Sequence, residues 1–239
     1  MYIEKENYFI IKELEDLGIG AIYTFKNYGD VRKLPKEKFI DDFKLGDRKI
    51  VSGYQTHTKN IQIIDEKSDM FYFEDTDGFI TARKDIVIYT KYADCLPVYI
   101  YDKDKKVISL VHSGWKGTYE EIALEAIKLM EKRFDSKKEN ILIIFGIGIS
   151  QKNYEVGEEF LEKFSQKFSS DLIKGSFLRE NNKIYFDNQQ FNFLNLIKND
   201  ILKENIVTNS YCTYEDKRFH SFRREKESSG RAGAFIYFK

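Results

Sequence analysis

The chain has 239 residues, 42% hydrophobic and 33% charged, a length and balance that allow one sizeable buried core. Lysine plus arginine and aspartate plus glutamate each total 39, which excludes the electrostatic footprint of a nucleic-acid or membrane-surface binder and makes any anion site a local one. The charged opening "MYIEKENYFIIKEL", the lack of an apolar run near the roughly 20 residues of a membrane span, and a cysteine count of 2 lead to the expectation of a cytoplasmic chain without signal peptide, membrane span or disulfide framework.

Strand-length apolar runs recur along the chain: "AIYTF" from Ala21, "KIVSGY" from Lys49, "NIQII" from Asn60 and "DIVIYT" from Asp85. "LPVYIYD", "KVISLVH", "NILIIFG", "KIYF", "NIVTNS" and the closing "GAFIYF" follow. Their β-branched and aromatic content predicts strands. Three segments carry helical spacing instead. In "TYEEIALEAIKLMEKRF", Ile122, Ala126, Ile127 and Met130 share a face, and Thr118 with Glu121 predicts a capping box at its start. In "YEVGEEFLEKFSQKF", Val156, Phe160, Phe164 and Phe168 recur every fourth residue; "QQFNFLNLIKNDILKEN" aligns Phe191, Leu194, Ile197 and Ile201. No repeat or linker divides residues 1–239, so a single α+β domain with helices outside its sheets is expected.

The chemistry-bearing residues fall at predicted strand ends. His57 follows the strand from Lys49, Cys95 lies in "YADCLP" between two strands, and His112 ends "KVISLVH" before the turn "SGWKG". Two imidazoles and a thiolate suit zinc, and three protein ligands leave a fourth tetrahedral position open. Spacing alone leaves Cys95 as a buried thiol, a nucleophile or a metal ligand.

The ordered segments "QTHT", "YADCLPVYIYD", "VHSGWKGTYEEI", "GIGISQKNYEVGEEF", "YCTYED" and "HSFRREKESSGRAGAFIYF" closely resemble the YfiH-like family, also called the polyphenol oxidase or laccase-domain family and described as purine nucleoside phosphorylases. The resemblance runs from about Ala21 to the C-terminus. It implies a layered α/β/β/α sandwich with mixed β-sheets and a zinc ion on His57, Cys95 and His112, copper being the lesser alternative. It also implies phosphorolysis of adenosine, inosine, guanosine and S-methyl-5'-thioadenosine, with adenosine deaminase activity. Three departures stand out. Lys116 replaces a common Arg and loses its bidentate fork, "SQKNYEVG" lacks the cysteines often found there, and the segment up to about Arg48 lacks the usual Asn-Leu signature.

Within that reading Asp94 orients a ligand or acts as a base on bound water, and Asp77 caps the approach to its strand or holds a histidine N–H. Gly114 and Gly117 allow a tight turn whose N–H groups suit an anion. Adjacent arginines on a strand point to opposite faces, and of Arg223 and Arg224 the second is expected to face the site, pairing with Lys116 on phosphate. His220 is expected not to be a ligand, and Cys212 to be a buried thiol. The expected partners are a purine nucleoside and phosphate, with neither nucleic acid nor membrane; oligomeric state is left open. The rival readings are a Cys-His hydrolase or deamidase with Cys95 as nucleophile and His112 as base, a metal-stabilised binding module for a cell-wall precursor or another protein, and a copper phenol oxidase.

Overall fold

The computed structural model describes residues 2–239. Each predicted strand forms; all but Lys183–Phe186, which lies in a small three-stranded sheet, divide between two large sheets. One has seven strands, in the spatial order Tyr2–Glu4, Tyr8–Ile11, Ile19–Thr24, Ala232–Phe238, Ile86–Tyr92, Lys49–Gly53 and Tyr72–Phe73. The other has six: Ile206–Val207, Ile141–Phe145, Leu96–Asp102, Val107–Ser113, Gly78–Thr81 and Ile61–Ile64. Both mix directions; Lys49–Gly53 runs parallel to Ile86–Tyr92, while Ala232–Phe238 is antiparallel to it.

The sheets pack face to face. Tyr23, Ile88, Tyr92 and Ile236 of the first meet Tyr99, Ile108 and Leu110 of the second in the central core. The outer face of the six-stranded sheet is covered by helices Ile122–Phe134 and Asn188–Lys198, with Ile127, Met130 and Leu196 against Val98, Ile100 and Ile143. Helix Lys36–Phe43 covers the outer face of the seven-stranded sheet, setting Phe39 and Phe43 on Val87, Tyr89 and Phe235. The result is the expected helix–sheet–sheet–helix layering. Because both faces of these strands are covered, they read as continuous apolar runs, without hydrophobic alternation. No helix among the described residues is long and apolar enough to cross a membrane.

The second helical segment is shorter than its spacing predicts. Glu158–Lys167 is helical, but Val156 belongs to a two-residue strand in a third, three-stranded sheet. Phe160 and Phe164 pack there with Phe186 and Phe191, apart from the central core. The Asn188–Lys198 helix ends before Ile201 and is capped by Asp187, whose carboxylate accepts from the Gln190 N–H at 2.8 Å.

The capping box does not form. Thr118 sits inside a short helix, Trp115–Tyr119, and the chain breaks at Glu121, whose φ is 60°, before Ile122–Phe134 begins. The Thr118 hydroxyl turns into the interior, donating to Asn188 Oδ1 at 2.6 Å and lying 2.7 Å from the Ser113 hydroxyl. Asn188 in turn donates to the Ser113 carbonyl at 2.7 Å. A buried network thus ties the end of the His112 strand to the Asn188 helix. Thr118→Val keeps the shape but removes the Ser113 hydroxyl's partner and leaves Asn188 Oδ1 with only the 3.4 Å Asn192 donor, so it should lower stability by about 1–3 kcal/mol. Urea denaturation measures this, and an unchanged midpoint would remove the network's structural role.

Candidate metal centre and its cleft

The two sheets exchange the chain at one end of the sandwich, and there the three candidate ligands meet. Ile86–Tyr92 ends in one sheet and Leu96–Asp102 begins in the other, so "ADC" is the crossover between layers. Asp94 turns it with φ 82°, a backbone region few non-glycine residues adopt. Val107–Ser113 returns antiparallel, with His112 opposite Pro97, which brings the imidazole beside Cys95. Lys49–Gly53 runs parallel to Ile86–Tyr92, so the loop after it delivers His57 to the same end.

The ligating atoms of His57, Cys95 and His112 all lie within 4.8 Å of one another, and Cys95 Sγ is 3.7 Å from His57 Nε2. No second group of three such donors occurs among the described residues. His57 is exposed, Cys95 partly buried and His112 buried, an arrangement open on one side. Gly114 is needed for clearance: a Cβ there would fall 2.6 Å from the His57 ring and 3.0 Å from Cys95 Sγ.

Asp77 organises the cluster from behind. One carboxylate oxygen accepts the His112 Nδ1–H at 2.8 Å, which leaves Nε2 as the free ring nitrogen. The same carboxylate accepts the backbone N–H groups of Thr56, His57 and Thr58 at 3.2, 3.1 and 2.8 Å. Those bonds hold His57 in the left-handed region, φ 64°. Of the two roles expected for Asp77, holding a histidine N–H is the one found.

Burial alone would raise the Cys95 thiol, but the neighbouring His112 and then His57 outweigh it and bring it down to about 6. Burial alone would lower His112, yet Cys95 and Asp77 push it up to about 9. Each group thus favours the charged form of the other. A divalent ion replacing the imidazolium proton would meet the same negative charge.

The cluster opens into a cleft of about 840 Å³. Asp94 lines it, but both its oxygens are engaged, one by the Thr213 hydroxyl and the other by the Arg223 N–H, each at 2.6 Å. That makes it an anchor for the crossover. Lys116 does not line the cleft; it is exposed, with Nζ 5.7 Å from the Trp115 ring centre. Arg224 is also elsewhere. Its guanidinium donates to the Thr213, Tyr214 and Phe219 carbonyls at 2.6–2.7 Å and pairs with Glu225.

The reason is local. The Ser221 side chain caps the Arg224 N–H and starts a helical turn, Phe222–Glu225, where a strand was expected. On that turn Arg223 reaches the cleft, lying over the Tyr154 ring at 5.3 Å. His220 is buried and 3.4 Å from the Gly29 carbonyl oxygen, away from the cluster, and Cys212 is a buried thiol accepting from Ser150. Sequence reasoning also missed Arg32, Lys36, Lys91 and Arg231 on the cleft wall. Lys91 and Arg231 lie in or beside the segments that carry the family resemblance, but only the tertiary fold gathers the four.

A layered sandwich with a three-donor cluster at a sheet crossover defines the class of this protein. The family profile described as multi-copper polyphenol oxidoreductase laccase matches residues 31–239, and the chain belongs to that family. It is 38% identical over 231 residues, 96% of each chain, to a protein of Borreliella burgdorferi named purine nucleoside phosphorylase. It is 28% identical over 95% of its length to the purine nucleoside phosphorylase YlmD of Bacillus subtilis, covering 84% of that protein. Its fold matches that of YfiH from Bacillus licheniformis with a TM-score of 0.88 at 23% identity, over 100% of this chain and 99% of that one.

If Asp77 sets the His112 ring and the His57 loop, Asp77→Asn should weaken metal affinity by about 10–100-fold. Competition against a chromophoric zinc chelator gives the affinity directly. An unchanged value would leave Asp77 with a purely structural role.

Proposed function

We propose that the chain is a single-domain, cytoplasmic, zinc-dependent purine nucleoside phosphorylase acting on adenosine, inosine, guanosine and S-methyl-5'-thioadenosine, with adenosine deaminase activity. The observation that carries the reading is the open His57–Cys95–His112 cluster facing a cleft of nucleoside size, in a chain whose near-full-length relatives are named purine nucleoside phosphorylases. The family description speaks of several coppers, but the donors here suffice for one ion. The chain has 3 histidines and 2 cysteines in all, and His220 and Cys212 stand outside the cluster. Two imidazoles and one thiolate suit zinc, and His112 is already fixed in the tautomer that ligation needs.

In phosphorolysis a phosphate oxygen bonds to C1' of the ribose while the C1'–N9 bond breaks. The electron pair leaves with the base, which takes up the proton that the phosphate gives up; the products are free purine and ribose 1-phosphate. Deamination consumes adenosine and water and yields inosine and ammonia. A zinc ion held by His57, Cys95 and His112 would supply Lewis-acid chemistry. The chain's own residues do the rest. Trp115 and Tyr154 offer planar walls for a purine, Asp94 fixes the crossover that carries Cys95, and the Asp77 bonds hold the His112 ring and the His57 backbone in place.

Metal analysis of the purified protein should return about one zinc per chain. His57→Ala and His112→Ala should each strip it without unfolding the protein. A nucleoside panel with and without phosphate should show purine release that depends on phosphate. Stoichiometric zinc in both variants, or purine release indifferent to phosphate, would reject the reading.

A second reading has an observation of its own: Asp77, His112 and Cys95 lie in line as a carboxylate, an imidazole and a thiolate, the order of a cysteine hydrolase. Accessibility to alkylation separates the two. A zinc-bound sulfur has its lone pair engaged and should resist iodoacetamide until a chelator removes the metal, whereas a nucleophile should react at once. We expect Cys95 to be protected in the zinc-loaded protein and labelled after chelation, with Cys212 as the internal control by mass spectrometry. Rapid labelling of Cys95 with zinc present, and activity surviving chelation, would decide for the hydrolase.

A further inference from the structure

The cleft has a wall that the metal cluster does not use, and it is cationic. Lys91 lies on the outward face of the Ile86–Tyr92 strand, two residues from Tyr89 and therefore on the same side of the sheet. Its Nζ donates to the Gly53 carbonyl at 2.8 Å. Lys36 opens the helix that covers that face, and its Nζ reaches the Ile50 carbonyl at 3.2 Å. Arg32 and Arg231 complete the wall from the loops beside it. Both guanidinium groups donate to the same carbonyl, that of Ser229, at 3.1 and 2.9 Å, so they stand next to each other.

Acidic partners are nearly missing. Asp30 pairs with Arg32 and accepts the Arg231 backbone N–H, while Lys36, Lys91 and Arg231 make no ion pair among the described residues. In a chain with equal numbers of both signs, four cations on one wall are a local concentration of charge. Burial first, and then repulsion from Lys36 and Arg32, push Lys91 below the usual lysine range. Burial and the neighbouring Arg32 do the same to Arg231. Arg32 has Asp30, but Lys36, Lys91 and Arg231 are held partly out of water against carbonyl dipoles and ring faces with no carboxylate in ion-pair contact, an arrangement that an oxyanion relieves. The Arg231 guanidinium and two ammonium points, with Arg32 held beside them on Asp30, fit the several acceptor oxygens of one phosphate better than a single carboxylate.

We infer that Arg32, Lys36, Lys91 and Arg231 form a phosphate-binding subsite on the wall of this cleft. The ligand is free orthophosphate, and its identity as co-substrate rests on the phosphorolysis proposed above. The placement also replaces Lys116 and Arg224, which the fold keeps out of the cleft, as the phosphate contacts. Lys91 and Arg231 hold the anion from the inside, and Lys36 and Arg32 close on it from the rim.

The test is direct binding to the zinc-loaded full chain, read by calorimetry with orthophosphate in a low-chloride buffer. Wild-type protein should bind orthophosphate saturably. Lys91→Met, which keeps the stem and removes the charge, should weaken binding about tenfold or more. Lys36→Met, at a helix start near the rim, should do the same and guards against a Lys91 variant that misfolds; thermal melts and zinc content check both. Absence of saturable binding in the wild type, or unchanged affinity in both variants, overturns the subsite. A parallel titration with AMP separates the sources of phosphate: if AMP binds through these lysines and orthophosphate does not, the wall reads a nucleotide and the orthophosphate assignment falls. Because binding is read without turnover, intact phosphate binding in a protein that fails to phosphorolyse nucleosides would sink the reaction and not the subsite.

Discussion

A buried carboxylate, Asp77, sets the geometry on which the centre depends. It is fully enclosed, yet it spends its oxygens on groups from both sheets: the His112 ring of the six-stranded sheet and three consecutive N–H groups of the loop leaving the seven-stranded one. Burial by itself would raise the Asp77 carboxyl. The His112 hydrogen bond and charge, with the Thr58 donors, outweigh that and hold it below the usual carboxylate range. The carboxylate is therefore charged where it sits, and its charge is what fixes the His57 backbone in the left-handed region. Without it the His57 loop has no reason to fold over Cys95, and His112 has no fixed tautomer to present.

The crossover carries the second constraint. A chain passing from one sheet to the other within three residues, between Tyr92 and Leu96, needs a sharp turn, and Asp94 makes it at a positive φ. Its two oxygens are tied to Thr213 and to the Arg223 N–H, so the turn is held by the loop that also carries Arg223 into the cleft. The three-donor cluster, the crossover and the cleft wall at Arg223 are thus one mechanical unit at the open end of the sandwich. The arrangement explains why an aspartate precedes the cysteine: the residue type suits the strained backbone, and the carboxylate anchors it.

What the sequence made legible follows from the range of the forces involved. The long strands were visible because covering both faces of a sheet demands runs of β-branched and aromatic residues. The short strands Tyr72–Phe73 and Gly78–Thr81 were not read, because they take their identity from their neighbours. Thr118 and Glu121 have the spacing of a capping box, but a buried hydroxyl network around Asn188 claims the threonine. Arg224 was assigned by strand alternation, and a single capping serine turned the segment into a helical turn and exchanged its role with Arg223. His57, Cys95 and His112 were marked by motif and by position at strand ends, and the fold does gather them. Their partner Asp77 was read only as one of two alternatives, since nothing local to "DTDGF" reveals a contact 35 residues away.

The cationic wall was the least legible part, and the reason is electrostatic. Net charge averages over the surface, and the equal totals of 39 acids and 39 bases hide a cleft in which the bases are segregated. Segregation also separates two opposed requirements. The metal cluster needs an electron-rich thiolate, which is stabilised by nearby positive charge, whereas an oxyanion placed directly against that thiolate would be repelled. Lys36 and Lys91 stand on the outer face of one sheet and Arg32 on the loop beside it, so the proposed anion subsite draws on a different wall of the cleft from the Cys95 thiolate. Arg231, which feels both Arg32 and the charges of Cys95 and Asp94, stands between the two regions and links them.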